Sequence, residues 1–235
     1  MQSTSEALGL ALQLVLSGDA DLLEIVGLSL YVSLSATLIA CVIGMSLGAV
    51  LAATRFPGRG VCLVIVNALM GLPPVVVGLI VYLYLSRSGP LGFLGLLYTP
   101  TAMIIAQTIL ITPIVIALSR QTLESLAQEY RETLATFGLT AWQTFMTLLW
   151  EGRFALLTVA LAGFGRAVAE VGAVMIVGGN IDHLTRVMTT AIALETSKGN
   201  LPLALALGLI LVSLALAVNA LVYGLHTGEK RQAYV

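Results

Sequence analysis

The chain has 235 residues, of which 58% are hydrophobic and 10% charged, and its net charge is −1. Soluble domains carry about 25% charged residues, so a chain this apolar could not clothe a water-facing surface, and its near-zero charge gives nucleic acid no footing. Long uncharged apolar runs point to an integral membrane protein.

The first apolar stretch, residues 7–16, is too short to cross a bilayer and reads as an interfacial helix lying on the membrane. A span drawn through it would have to swallow Asp19, Asp21 and Glu24. The opening MQSTSEALGL has no basic n-region and no small-residue cleavage site, so no removable signal peptide is expected. Five later segments reach the length of mostly apolar residues that a membrane helix needs: 25–53, 61–85, 99–118, 154–177 and 201–225. The expected division is an extracytoplasmic segment (1–24), a transmembrane domain (25–225) and a cytoplasmic tail (226–235).

Lys and Arg placement orients the spans. Arg55, Arg59, Arg120, Arg131, Arg153, Lys230 and Arg231 fall on one side, and Arg87, Arg186 and Lys198 on the other. Seven against three puts the first set in the cytoplasm, the N-terminus outside and the C-terminus inside.

The second span contains Pro73 and Pro74, and the third Thr112-Pro113 with Gln107 nearby. Proline lacks an amide donor, so the freed carbonyls need other partners, and such breaks serve either as packing kinks or as the lining of a wet cavity. Both readings stay open. Between the third and fourth spans lies a charged loop, 120–153. Leu123, Leu126, Ala127, Tyr130, Leu134 and Phe137 follow a three-four spacing and form one helical stripe. Gly138 sits where a helix stops. Thr140 and Gln143 then make a capping box for a second helix, whose apolar face is Trp142, Phe145 and Leu149. The segment is expected to be a helical hairpin with its turn in the cytoplasm. In the fourth span Arg166 and Glu170 stand one turn apart on one face. A charge at the centre of a membrane helix costs about 2.5–3.5 kcal/mol, so both must face protein or water. A structural ion pair and an anion-facing gate are the two accounts. Gly165, Ala169 and Ala173, four apart, would admit a close helix neighbour.

Cys41 and Cys62 make no disulfide framework. His183 and His226 lack zinc-like spacing and read as solvated surface. Asp182, Glu195, Arg186 and Lys198 on the outer loop form a mixed-charge face, suited to another protein or simply solvated. No Gly-x-x-x-x-Gly-Lys-Ser/Thr is present to hold nucleotide phosphates.

Glu132, Thr133, Leu134 and Gly138 resemble the Glu-Ala-Ala-x-x-x-Gly core of the EAA loop of ATP-binding-cassette (ABC) import permeases. Thr133 and Leu134 stand for the two alanines, and Leu148-Leu149-Trp150-Glu151 replaces the Ile-x-Leu-Pro that follows in the family. GFGRAVAEVGAVMIVGGNI and TRVMTTAIALETSKGN are similar to tungstate and molybdate permeases, more to the former. The resemblance runs from about Gly27 to Leu225. It implies a type I importer (MetI-like) permease fold, a homodimer, an extracytoplasmic oxyanion-binding protein and a prokaryotic plasma membrane. It implies also that the loop docks on a separate ATPase, where ATP and magnesium reside; this chain is expected to bind no cofactor or metal. An ion-coupled secondary transporter and an integral membrane enzyme are the rival classes. Intramembrane acids would favour the first, yet Glu170 is the one acid in the spans and no internal repeat is evident. The second needs an acid–base, nucleophile or metal set that cannot be assembled.

The predicted orientation is checked by thiol labelling. With Cys41 and Cys62 replaced by alanine, Gln128→Cys is expected to react with an impermeant maleimide only after permeabilisation, and Ser197→Cys in intact cells. The reverse pattern would invert the topology.

Overall fold

The computed structural model describes residues 4–54, 56–130 and 136–232. Among these it is helical throughout, without a strand: α1 (Thr4–Ser17), α2 (Ala20–Ala53), α3 (Arg59–Met70), α4 (Pro74–Leu85), a 3-10 turn at Gly92–Leu94, α5 (Pro100–Glu129), α6 (Ala141–Glu151), α7 (Arg153–Val168), α8 (Gly172–Gly178), α9 (Met188–Lys198) and α10 (Leu201–Gln232). Three helices are long and apolar enough to cross a membrane, namely α2, α5 and α10 over Leu201–Gly224, and the number rises to five if the bent pairs α3/α4 and α6/α7 each count as a span. The predicted interfacial stretch is helical, as α1.

Two compact units divide the chain. One comprises Met1–Ala36, Pro73–Gln107 and Gly165–Asn219, the other Thr37–Leu72, Thr108–Phe164 and Ala220–Val235. In the first unit α4 lies against α8 at backbone distance. A Cβ on Gly78 would stand 2.8 Å from Ala173 Cα, so only glycine lets the two helices meet there. Contact this close replaces the hydrophobic drive that lipid cannot supply. Tyr98, at positive φ, donates its amide to Val177 O (3.0 Å) at the far end of α8. In the second unit Gly44 and Gly48 of α2 do the same against α5: their Cβ atoms would meet Val115 Cβ and Ile116 O, each at 2.8 Å.

The structure departs from the sequence reading in four places. The 61–85 span is interrupted. Gly71 and Leu72 donate their amides to Ala68 O and Leu69 O (3.1 and 3.2 Å), closing α3, and Pro73 occupies the N-cap of α4 with Pro74 behind it. A proline at the first helical position gives up an amide that would be unpaired anyway, so the prolines start a helix and do not kink one. Conversely, α5 runs unbroken through Pro113. Thr112 Oγ1 donates to Thr108 O at 2.7 Å beside it. The 154–177 span is also interrupted: α7 stops at Val168 and α8 begins at Gly172. Finally, the loop after it contains a helix, α9, that the sequence reading left as loop. Its Glu195 is 5% exposed and accepts from Lys198 Nζ and Asn200 Nδ2, both at 2.9 Å. These donors hold the carboxyl below its ordinary range, Lys198 foremost, so Glu195 belongs to the loop's own packing and not to an outward mixed-charge face.

Gly78→Val is expected to destabilise the purified protein by about 1–3 kcal/mol through overpacking, read as a lower melting temperature in detergent. Gly208→Val, where a Cβ meets nothing within 4 Å, is expected to shift stability by no more than about 0.5 kcal/mol. Equal losses at the two positions would show that close approach at Gly78 is not what matters.

Candidate functional site

The hairpin region grows out of α5. Over the described residues its first limb begins as the end of α5, which runs to Glu129. Of the sequence-predicted coupling residues, Glu132, Thr133 and Leu134 lie outside the described residues. Gly138 is described, at φ +60° with open space where a Cβ would be. That left-handed conformation ends a helical turn, and glycine reaches it at little cost. Two residues on, the capping box is formed: Thr140 Oγ1 accepts from Gln143 N (3.3 Å) and Gln143 Oε1 accepts from Thr140 N (2.9 Å). These reciprocal bonds satisfy the free amides that open α6.

α6 packs Phe145 and Leu149 of the predicted face inward, with Leu148 beside them, but leaves Trp142 out. Leu148 joins Ala49, Leu123 and Leu156 in a core cluster, with Phe145, Leu149, Leu126 and Ala127 packed on it. Trp142 stacks on Phe145 with ring centroids 5.6 Å apart, but is itself 68% exposed. Trp150 and Phe137 are likewise exposed. The three-four spacing could not tell which of these apolar residues the core takes. Behind the cluster, Glu124 accepts from Arg120 Nη1 at 2.6 Å and pairs with Arg59, whose Nε donates to Leu51 O at 2.9 Å. The end of α5 is thereby tied to the turn after α2. At Gly152 the chain bends by 64° into α7, and the Arg153 guanidinium lies over the rings of Trp150 and Phe154, 4.7 and 4.6 Å from their centroids.

The second group of predicted residues does come together. Arg166, in the last turn of α7, donates to Glu170 Oε2 at 2.7 Å. Glu170 is 4% exposed and its Oε1 also accepts from Ala173 N (3.2 Å), so one carboxylate pairs the guanidinium and caps α8. The Arg166 side chain remains 39% exposed. Thr189, which the sequence reading did not single out, and Gln107, which it named only beside Pro113, complete the break: Thr189 Oγ1 donates to Glu170 O (2.8 Å) and Gln107 Nε2 to Ala167 O (3.1 Å). They come from α9 and α5, distant in sequence, and no periodicity links them. Of the small-residue stripe, Ala173 meets α4, whereas a Cβ on Gly165 would touch nothing within 4 Å. Pro73 and Pro74 open α4, and Pro73 O accepts from Val76 N at 3.0 Å.

His183 has a partner that sequence spacing concealed, Glu24 Oε2 at 2.9 Å from its Nδ1. Glu24 first, then Asp182 and Asp21, raise its pKa. The contact therefore holds at low pH and fades as pH climbs through the raised pKa.

The chain as a whole is similar to known proteins. A family model described as the binding-protein-dependent transport system inner membrane component matches residues 42–230. The chain is 40% identical over 226 residues to a "Tungstate uptake system permease protein" from Peptoclostridium acidaminophilum, covering 96% of this chain and 99% of the relative. It is 42% identical over 212 residues to a "Probable anion ABC transporter permease protein" of Haloferax volcanii, covering 87% and 91%. A second tungstate uptake permease, from Campylobacter jejuni, is 44% identical over 161 residues, 68% of this chain and 67% of the relative. Permeases named for molybdenum and sulfate transport match at 26–30% identity. The relatives are named as transport subunits rather than enzymes, and the ion-coupled transporter and the membrane enzyme give way. The chain belongs to the family of inner membrane components of binding-protein-dependent transport systems: it is a permease subunit of an ABC importer.

Proposed function

We propose that this permease imports tungstate, with two copies flanking one pathway across a prokaryotic plasma membrane. The observation that carries the substrate is the 40% identity to a tungstate uptake permease over nearly the whole of both chains, against 29% to a molybdenum permease over 178 residues. In this reading the five predicted spans cross with the N-terminus outside and the C-terminus inside. A binding protein delivers the oxyanion to the outer face. The hairpin 120–153 meets the ATPase that binds ATP and magnesium, with Glu132, Thr133, Leu134 and Gly138 at the docking turn.

Arg166 is proposed to face the pathway. It sits in an apolar helix, yet more than a third of its side chain is uncovered in the single chain. A guanidinium cannot be left to lipid at tolerable cost, so the uncovered part must meet water or a second copy. The buried partner Glu170 keeps it neutralised until an anion passes. Pro73 and Pro74, which open α4 with no amides in need of an acceptor, are proposed to line the same pathway. Molybdate or another oxyanion is the second reading, favoured by the relative named only for an anion.

Three measurements test this. The importer, reconstituted with its ATPase and binding protein, is expected to take up labelled tungstate with a lower half-saturation concentration than molybdate; parity or the reverse order would end the substrate assignment while leaving the permease role intact. Arg166→Met combined with Glu170→Leu removes the pair without stranding a charge. Uptake is expected to fall about tenfold or more while the subunits still assemble, and retained uptake would reduce the pair to a structural one. Gly138→Val, which forces a β-branched residue to positive φ, is expected to leave ATP hydrolysis running while substrate accumulation fails. Gly138→Asn, whose side chain tolerates that region, should retain most transport. Full coupling in the valine variant would remove the docking role of the turn.

A further inference from the structure

We propose that a single water molecule is built into the break between α7 and α8, bound by the side-chain amide oxygen of Gln107. Gln107 is 3% exposed and its Nε2 is committed to Ala167 O (3.1 Å), which fixes the orientation of the amide. Its Oε1 is buried and, among the described residues, receives no hydrogen bond. A bare amide oxygen in an apolar interior is costly, and in lipid-embedded protein such groups are met from within.

The space beside it suits one water. A cavity of about 10 Å³ is lined by Ser29, Ser33, Gln107, Glu170 and Thr189, among others. That is about the volume a single water needs, and a buried water calls for two to four polar partners. The chemistry of the walls selects the occupant. Ser29 Oγ spends its proton on Ile25 O (2.7 Å) and accepts from Met188 N (2.7 Å). Thr189 Oγ1 spends its proton on Glu170 O (2.8 Å). Glu170 is a carboxylate whose two oxygens already take Arg166 and Ala173 N. What Ser29, Thr189 and Glu170 still offer is lone pairs, and Gln107 Oε1 is itself an acceptor, so the occupant must donate. Water has two protons to give. An oxyanion brings only acceptors and is far too large for this cavity. Inserted water is one of the ways a membrane helix ends without leaving carbonyls or amides bare. Here it would link α5, through Gln107, to the carboxylate or hydroxyl that holds the break.

The test is an experimental structure of the assembled importer at a resolution that shows ordered water. A peak is expected at hydrogen-bond distance from Gln107 Oε1 and from Glu170 or Thr189, and lost in Gln107→Leu. Gln107 Oε1 bonded directly to a protein donor, or a cavity without a peak, would overturn the proposal. So would a peak ringed by five or six oxygens at metal-ligand distance, which would mark a cation. The wild-type structure decides even if Gln107→Leu does not fold.

Discussion

In a chain that lives in lipid, every place where a helix stops is an electrostatic problem, because no bulk water is at hand for the exposed amides and carbonyls. Two of the predicted spans stop midway, and they resolve the problem in opposite ways. At residues 71–73 the solution is local. The last carbonyls of α3 take the amides of Gly71 and Leu72, and proline opens α4 without an amide to satisfy. At residues 169–171 it is tertiary. Glu170 caps α8, Gln107 covers Ala167 O from α5, and Thr189 binds Glu170 O from the start of α9. The second break is held by two other segments, α5 and α9, so it ties together distant parts of its unit.

The same carboxylate also answers for Arg166. A guanidinium in an apolar helix needs a counter-charge, and Glu170, almost fully buried, is positioned by the cap it makes on α8. Cap and ion pair therefore support each other: the backbone amide that anchors one oxygen orients the other toward the guanidinium. Only the carboxylate of this pair is buried, and the guanidinium keeps an uncovered side.

Much of this was legible in the sequence. Five apolar runs, the Thr140–Gln143 capping box and the left-handed turn at Gly138 follow from composition and local chemistry, and the structure holds the box and the turn as read. Local rules failed where tertiary contacts decide. Pro113 looked like a break and was not, because a helix can absorb a missing amide when packed. Residues 154–177 looked continuous and were not, because the stop is imposed by Thr189 and Gln107, far away in the chain. Trp142 was assigned to the buried face of α6 and is exposed, since α6 is apolar on more than one side and the core chose Phe145 and Leu148. Glycines at 44, 48 and 78 carried no signal until the neighbouring helix was seen against them.

The proposed coupling follows from where the chain is stiff and where it yields. α6 is held by its capping box, its cluster with Leu123 and Ala49, and Arg153 lying across Trp150 and Phe154. α7 is a single helix from Arg153 to Val168, and a hydrogen-bonded helix transmits a displacement along its axis with little bending. Compliance is left to the two interruptions that flank α7, the 64° bend at Gly152 and the break at 169–171. A push received at the hairpin would therefore be spent at those two points. The second of them is where Arg166 and Glu170 stand, so the part of the helix most free to change direction is also the part that carries the charge an oxyanion would meet.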